Sequence, residues 1–215
     1  KELGGLVMVH AENGDVIDYL VNKAIKEGNV EPKYHALTRP PEVEGEATGR
    51  AAILTGLAQS QLYVVHVSCA DAVKKIAEAR EKGIDIWGET CPQYLVLDQS
   101  YLEKPNFEGA KYVWSPPLRE KWNQEVLWNA LKIGQLQTTG SDQCSFDFVG
   151  QKDLGKDDFS KIPNGGPLIE DRVSILFSEG VKKGRITLNQ FLDITSTRAA
   201  KLFGMYPKKG TIAVG

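Results

Sequence analysis

The chain has 215 residues, of which 41% are hydrophobic, and its 26 Lys and Arg against 28 Asp and Glu give a formal charge of -2. At roughly 150 residues per domain this length predicts one domain or somewhat more, and the ordinary apolar fraction excludes the disordered, collagen-like and coiled-coil classes. The nearly balanced charge argues against a nucleic-acid partner, and no apolar run approaches the roughly 20 residues of a membrane span.

Short apolar runs alternate with amphipathic stretches along the chain. The apolar runs predict strands, and the stretches with apolar residues at helical spacing predict helices. In chain order we predict a strand over 6–10, helices over 16–27 and 47–59, a strand over 61–68, a helix over 71–82, strands over 84–89 and 111–115, a helix over 120–133, a strand over 136–142, a loop over 143–166, and helices over 169–182 and 188–203. This alternation predicts an α/β fold with a parallel sheet.

The predicted parallel sheet can close into a (β/α)8 barrel or stay open as a doubly wound fold. A doubly wound nucleotide-binding fold normally carries a glycine-rich phosphate turn after an early strand, and neither G-x-G-x-x-G nor G-x-x-x-x-G-K-[ST] occurs here. We therefore favour the barrel. Only about half of the eight strands that a barrel requires are predicted, so the chain is interpreted as part of one.

Ligand-type side chains stand at the ends of predicted strands: His10, His66 and Asp142. Because the carboxyl ends of parallel strands converge over the barrel axis, these side chains can share a cavity, and their nitrogen and oxygen atoms suit zinc or a similar divalent ion. A single histidine at a strand end is more often an ordinary hydrogen-bonded residue, so both interpretations stay open at this point. His35 lies outside any predicted strand end, and we interpret it as such an ordinary residue.

The cysteines are Cys69, Cys91 and Cys144, an odd and widely spaced set without a C-x-x-C pair. They predict neither a disulfide framework nor a cysteine metal site, and they fit a reducing cytoplasm. Cys144 follows shortly after a candidate ligand, and we expect it to be a small buried residue rather than a nucleophile.

Several short motifs, each weak alone, span nearly the whole chain. They are VMVHAENGD at 7–15, HALTRPP at 35–41, EGEA at 44–47, HVS at 66–68, GETCPQYL at 88–95, SPPLR at 115–119, GSD at 140–142 and PNGG at 163–166. In this order they resemble the dihydropyrimidinases and hydantoinases of the cyclic amidohydrolase superfamily, above all the bacterial D-hydantoinases. The resemblance implies the carboxyl-terminal portion of a TIM-type (β/α)8 barrel.

The resemblance also implies domain boundaries. We expect residues 1–205 to form the second half of the catalytic barrel and residues 206–215 to begin the return to a small β-sandwich domain. Lys1 is not an initiator Met, and residues 211–215 read as a new strand. We therefore expect the natural chain to be longer at both ends.

The family resemblance implies two divalent metal ions, usually zinc, at the barrel mouth. His10 and His66 are expected to bind one ion and Asp142 the other. The family's H-x-H pair and the carbamylated lysine that bridges the ions are not among these residues. The implied reaction opens the cyclic amide of 5,6-dihydropyrimidines or 5-substituted hydantoins to N-carbamoyl amino acids through a metal-bridging hydroxide, with Asp142 as the proton carrier.

Ser115 and Asn164 match the family positions whose backbone groups hydrogen-bond the amide edge of the cyclic diamide substrate. Each also precedes turn-forming residues, two prolines after Ser115 and two glycines after Asn164, so a turn is the alternative role, and both roles are compatible. Many family members have a histidine where this chain has Gln143, which does not titrate near pH 7. We interpret Gln143 as a variation beside the ligand Asp142.

Two alternatives stay open. One is a sister cyclic amidohydrolase, an allantoinase or a dihydroorotase, although no arginine stands out as the cation that a dihydroorotase needs for its substrate carboxylate. The other is a non-catalytic assembly protein like the collapsin response mediators, which have lost metal ligands, whereas His10, His66 and Asp142 are all present. We expect a cytoplasmic hydrolase that forms homo-oligomers, tetramers or dimers, without nucleic-acid or membrane partners.

Overall fold

A computed structural model describes residue 2 and residues 4–214 of the chain. Within this part, a sheet of four parallel strands has each strand beside the one that precedes it in the chain. The strands are β1 (Leu6–Val9), β2 (Gln61–Val64), β3 (Ile86–Thr90) and β4 (Thr138–Thr139). The predicted α/β class with a parallel sheet is confirmed, and the consecutive strand order is that of successive units of a barrel.

Helices connect the strands. They are α1 (Gly14–Lys26), α2 (Tyr34–Leu37), α3 (Pro41–Ala58), α4 (Ala70–Glu81), α5 (Pro92–Val96), α6 (Trp122–Lys132), α7 (Arg172–Ile175), α8 (Leu188–Leu192) and α9 (Arg198–Leu202). Two of them, α1 and α8, begin after a residue whose side chain caps the helix. Asn13 caps α1, since its side-chain oxygen accepts the N–H of Val16 at 3.3 Å. Among the helices of residues 4–214, none is long and apolar enough to cross a bilayer.

The main core lies between the sheet and the helices that follow its strands. Buried side chains from β2, β3, α4 and α6 meet there: Leu62, Val64, Val73, Ile76, Ile86, Leu127 and Leu131. Helices α3 and α4 approach closely at Gly45, where an added Cβ would stand 2.8 Å from the Cβ of Asp71. Only glycine permits this approach, which keeps α3 against the end of the sheet where the candidate residues lie.

The segment predicted as a strand over 111–115 is not a strand. A 3-10 helix (Glu108–Tyr112) occupies its start, and residues 113–115 do not pair with a strand of the described chain. The carbonyl of Val113 accepts the N–H of Gly165 at 2.9 Å, and the carbonyl of Trp114 lies 2.7 Å from Nε2 of His35. Because donors from a loop and a side chain bind these carbonyls, they do not form the backbone hydrogen bonds that would pair this segment with a neighbouring strand.

The carboxyl-terminal helices are more broken than predicted. Helix α7 continues as a π-helix (Leu176–Val181), and α8 and α9 are joined by another (Asp193–Thr197). In each region a side-chain hydroxyl donates to the backbone carbonyl four residues earlier: Ser178 to Ser174 at 2.8 Å, and Thr195 to Phe191 at 2.6 Å. Such a side-chain bond competes with the α-helical backbone hydrogen bond for the carbonyl.

The predicted loop over 143–166 is confirmed apart from two short 3-10 helices (Lys152–Gly155 and Phe159–Lys161). The strand predicted at 211–215 is wrong for residues 211–214, which are irregular and exposed without a pairing strand in the described chain, and Gly215 lies outside the described residues. The boundary between a barrel part at 1–205 and a β-sandwich part at 206–215 stays a prediction.

Candidate metal centre and substrate segments

His10 and His66 lie side by side at the carboxyl ends of neighbouring strands. Val9, the last residue of β1, is in register with Val64, the last of β2. His10 follows β1 directly and His66 follows β2 by two residues, so both lie just beyond the same edge of the sheet. Nδ1 of His10 is 3.0 Å from Nε2 of His66, and the two rings meet edge to face with centroids 4.7 Å apart. The structure therefore brings two of the predicted ligands together.

The surroundings leave each histidine a nitrogen that can bind a cation. The Glu12 carboxylate lies 3.0 Å from Nε2 of His10 and raises the pKa of His10 through this hydrogen bond, whereas burial lowers the pKa of His66. Because Nε2 of His10 faces Glu12, Nδ1 is the ring nitrogen that His10 directs towards His66. Glu12 was not predicted as a site residue, although its position two residues after His10 was the available signal.

Asp142 belongs to the same edge of the sheet, three residues after the end of β4. Its negative charge raises the pKa of both His10 and His66, although the Glu12 hydrogen bond has a larger effect on His10 and burial a larger effect on His66. The Asp142 carboxylate therefore lies within electrostatic reach of both histidines. Asp142 and His66 both adopt left-handed backbone conformations, with φ of 47° and 42°. Such strain in non-glycine residues is typical of functional sites.

The residues present fit part of a metal centre. In a tetrahedral zinc site with Zn–N bonds of about 2.0–2.1 Å, two nitrogen ligands stand roughly 3.3 Å apart, and the His10 and His66 nitrogens are 3.0 Å apart. In the described part of the chain, Nδ1 of His66 is buried without a hydrogen-bond partner. Nevertheless, residues 4–214 contain no cluster of three or more His, Cys, Asp or Glu side chains that could hold one ion. The assignment of His10 and His66 to one ion and Asp142 to another stays a prediction.

A buried ion pair connects the end of β2 to the segment that contains Ser115. Glu44 of α3 accepts the N–H of Ser68 at 2.9 Å and pairs with Arg119 at 2.8 Å, and Nε of Arg119 donates to the Ser68 hydroxyl at 2.9 Å. Ser68 follows His66 by two residues, and Arg119 ends the SPPLR motif that begins at Ser115. The network thus ties the histidine edge to the predicted substrate segment.

Ser115 and Asn164, the predicted substrate-binding residues, are in contact. Nδ2 of Asn164 donates to the hydroxyl of Ser115 at 3.1 Å, although 49 residues separate them in the chain. Within residues 4–214, no hydrogen bond occupies the backbone N–H or C=O of either residue. These groups are therefore available to a ligand, but the substrate role itself stays a prediction.

In contrast, the neighbouring carbonyls are bound by buried side chains. Lys152 binds the carbonyls of Val113 and Pro163. His35 binds the carbonyl of Trp114, and Tyr94 binds that of Pro116. His35 forms ordinary hydrogen bonds, as predicted, but they reach the substrate segment. Sequence analysis did not identify Lys152 or Tyr94, because no local pattern marks a residue whose partners are distant carbonyls.

Gln143 and Cys144 follow Asp142 and have different outcomes. Gln143 accepts the N–H of Ile169 at 2.9 Å and donates to the Ser145 hydroxyl, so it holds the loop after Asp142, and its interpretation as a variation beside a ligand stays a prediction. The prediction of a buried Cys144 is wrong: its side chain is exposed, because it lies in the irregular loop rather than against the core. Cys69 and Cys91 are buried and free.

Comparisons with known proteins agree on one family. The chain is 84% identical over 215 residues to a D-hydantoinase of Geobacillus stearothermophilus, covering 100% of this chain and 46% of that protein. It is 44% identical over 216 residues to a dihydropyrimidinase of Arabidopsis thaliana, covering 100% of this chain and 40% of that protein. No family model matches the chain.

A solved structure shows the same fold. The dihydropyrimidinase of Brevibacillus agri matches with a TM-score of 0.99 and 76% identity, covering 100% of this chain and 47% of that one. The chain therefore spans about half the length of the relatives it matches. This agrees with the prediction of a portion of a larger barrel.

Proposed function

Because the chain belongs to the D-hydantoinase and dihydropyrimidinase family, we propose that the full-length protein hydrolyses the cyclic amide bond of 5,6-dihydropyrimidines and 5-substituted hydantoins. Water adds its oxygen to the ring carbonyl carbon, the C–N bond of the ring breaks, and the nitrogen takes a proton. The product is an N-carbamoyl amino acid. The proposal makes the protein a metal-dependent hydrolase of C–N bonds.

The observation that carries the proposal is the approach of two imidazole nitrogens, at 3.0 Å, at the carboxyl edge of adjacent parallel strands. Catalytic groups of barrel enzymes lie at this edge. Asp142 follows β4 at the same edge, so two imidazoles and a carboxylate share it, which an isolated surface histidine would not. The sequence similarity to named hydantoinases supports the same reaction independently.

His10 and His66 would hold one divalent ion and Asp142 the second, with zinc as the proposed metal. Such ions, when bound, polarise a carbonyl and make water more acidic. Asp142 accepts the proton of the attacking water and delivers it to the leaving nitrogen, which requires only hydrogen-bond reach to both. The N–H and C=O groups of Ser115 and Asn164 hold the amide edge of the planar ring.

The sister activities fit the site less well. A dihydroorotase needs a free cation for the carboxylate of its substrate, and Arg119 of the substrate segment is buried and already paired with Glu44 at 2.8 Å. A non-catalytic assembly protein has no need of His10, His66 and Asp142 together at one edge. The observations therefore favour hydrolysis of uncharged cyclic diamides.

We also propose a cytoplasmic homo-oligomer, a tetramer or a dimer. The free thiols of Cys69, Cys91 and Cys144 fit a reducing compartment. Helix α3 carries large apolar side chains that are mostly exposed in this chain, Ile53 at 63%, Leu54 at 60% and Leu57 at 78%, and such a patch fits a protein contact. Light scattering of the full-length protein tests the assembly.

Substrate turnover tests the proposed function directly. The full-length protein is assayed with dihydrouracil, hydantoin, allantoin and dihydroorotate, before and after chelation and after reloading with zinc. We expect ring opening of the first two substrates, loss of activity on chelation and recovery with zinc. Preference for allantoin or dihydroorotate would identify the sister enzymes, and no turnover after zinc loading would reject an enzymatic role.

A further inference from the structure

Lys152 is a lysine of the 143–166 loop whose residue is only 3% exposed. Its Nζ lies 2.9 Å from the carbonyl oxygen of Pro163, 3.4 Å from that of Val113, and 5.9 Å from the ring centroid of Phe146. The three N–H groups of the ammonium therefore have two backbone acceptors and one aromatic face as neighbours.

This ammonium is buried without a counter-ion. Within residues 4–214 the hydrogen-bond partners of the Lys152 ammonium are the carbonyl oxygens of Val113 and Pro163 and no carboxylate, and burial lowers the pKa of its amine to about 8. A buried cation without a partner is costly, and a neutral residue of similar length would avoid that cost. A lysine at this position therefore needs a reason beyond filling the core.

The two carbonyls that Lys152 binds belong to the segments around Ser115 and Asn164, which we call the two substrate segments. Pro163 directly precedes Asn164, and Val113 precedes Ser115 by two residues. Lys152 thus stands at the junction where the two segments approach each other from distant parts of the chain.

Two direct hydrogen bonds join the segments: the Gly165 N–H donates to the Val113 carbonyl at 2.9 Å, and Asn164 donates to the Ser115 hydroxyl at 3.1 Å. Gly166 also lies against the Trp114 ring, and Ile162 and Val113 belong to one buried cluster. The Lys152 ammonium adds a hydrogen bond to each segment.

We propose that Lys152 is a positioning residue that sets the spacing between the open backbone groups of Ser115 and Asn164 and thereby sets the affinity for the cyclic diamide. The inference rests on the proposed function. A planar ring holds its N–H and C=O groups at fixed distances, so the protein groups that bind them must be held equally well. Lys152 meets this need by binding the carbonyls beside the open groups while leaving the open groups themselves free.

Substitution in the full-length, zinc-loaded protein tests the proposal. We expect Lys152→Met to raise KM for dihydrouracil and hydantoin by about 10-fold or more, since a misplacement of about 1 Å can cost up to about 100-fold. Because the contact affects ground state and transition state alike, kcat should change little. Lys152→Arg, which keeps the charge and the donors, should recover part of the affinity, and the exposed Lys156→Met of the same loop should behave as wild type.

The outcomes separate positioning from a purely structural role. A KM within about twofold of wild type in Lys152→Met, or a fall in kcat with zinc content at unchanged KM, overturns the proposal. If Lys152→Met does not fold, Lys152→Gln, a neutral residue that still donates one amide bond, is judged by the same KM criterion.

A structural measurement does not depend on activity. In a crystal structure of Lys152→Met or Lys152→Gln, we expect the distance from the Ser115 hydroxyl to Nδ2 of Asn164 to exceed the present 3.1 Å. An unchanged distance overturns the positioning role. If the wild-type protein turns over none of the cyclic diamides, the proposed function fails, while this distance still decides the role of Lys152.

Discussion

Removal of the Glu44 carboxylate should destabilise the protein strongly. The side chains of Glu44 and Arg119 are only 3% and 4% exposed, and their charged groups lie 2.8 Å apart. The Glu44 carboxylate also accepts the backbone N–H of Ser68 at 2.9 Å and the Ser68 hydroxyl at 2.5 Å. Glu44→Ala therefore leaves a buried guanidinium and two buried donors without their acceptor.

The magnitude follows from what stays behind. Breaking a buried ion pair by removing one partner costs about 3–5 kcal/mol, mainly because the other charge is left uncompensated. In Glu44→Ala/Arg119→Met both charges are gone, so the loss should be smaller than the sum of the two single losses. That difference is the coupling energy of the pair, and we expect it to reach about 1–3 kcal/mol.

Urea unfolding of the full-length protein, followed by tryptophan fluorescence, measures these free energies. Glu78→Ala is the matched control, because Glu78 pairs with Lys75 at 3.1 Å on the surface, with side chains 38% and 41% exposed, and such pairs contribute about 0–1 kcal/mol. A loss of less than about 1 kcal/mol in Glu44→Ala, or strict additivity with Arg119→Met, would refute the reasoning.

Four further predictions concern other parts of the chain. Asp142→Ala should lower kcat by about 10²–10⁴-fold in steady-state assays at equal zinc content, because it removes the proposed proton carrier. His66→Ala should first show a loss of bound zinc, and excess zinc should partly restore its activity. The Lys152 amine has a pKa of about 8 in the folded protein, against 10.5 ordinarily. Between these pH values the unfolded chain binds more protons than the folded protein, so the free energy of unfolding measured in urea should rise with pH. The variant Lys152→Met should lack this contribution. Gly109→Ala should lower thermal stability by about 3 kcal/mol, because the new Cβ would stand 2.1 Å from the Leu102 carbonyl oxygen.

Each of these predictions has a control or a contrary outcome. Asp157→Ala, which removes an exposed carboxylate of the loop that follows Asp142, should keep wild-type kcat, and wild-type turnover in Asp142→Ala would reject the proton carrier. Tight zinc binding by His66→Ala would reject the ligand role, and an equal pH slope in wild type and Lys152→Met would reject the buried charge. Gly49→Ala, where the new Cβ meets only a flexible lysine side chain at 3.3 Å, should not lower stability, because alanine is favoured over glycine inside a helix such as α3.

The regular elements near the site were accessible from local sequence. The helix predicted over 71–82 is α4, Ala70–Glu81, and the one predicted over 120–133 is α6, Trp122–Lys132. Each has an apolar period that one face buries, and each is followed by a glycine with positive φ, Gly83 or Gly134. Because β1 and β2 were also found from their apolar runs, His10 and His66 were correctly placed at strand ends.

The segment around Ser115 shows where local reasoning fails. Residues 111–115 have the composition of a strand, yet their carbonyls bind donors from loops and side chains rather than a neighbouring strand. Lys152 lies in the polar run Gln-Lys-Asp, which predicts exposure, and is nevertheless buried. Neither outcome has a signal within a few residues of the position concerned.

The sequence by itself determined the alternation of strands and helices and the residue types at the strand ends, because hydrophobic periods and helix caps depend on neighbours within about a turn. Only the tertiary structure decided which groups meet. His10 and His66 are 56 residues apart, Lys152 and Val113 are 39 apart, and His35 and Trp114 are 79 apart. Such pairs form only when the register of the sheet and the packing of its helices bring distant segments to one edge, and no local pattern encodes that meeting.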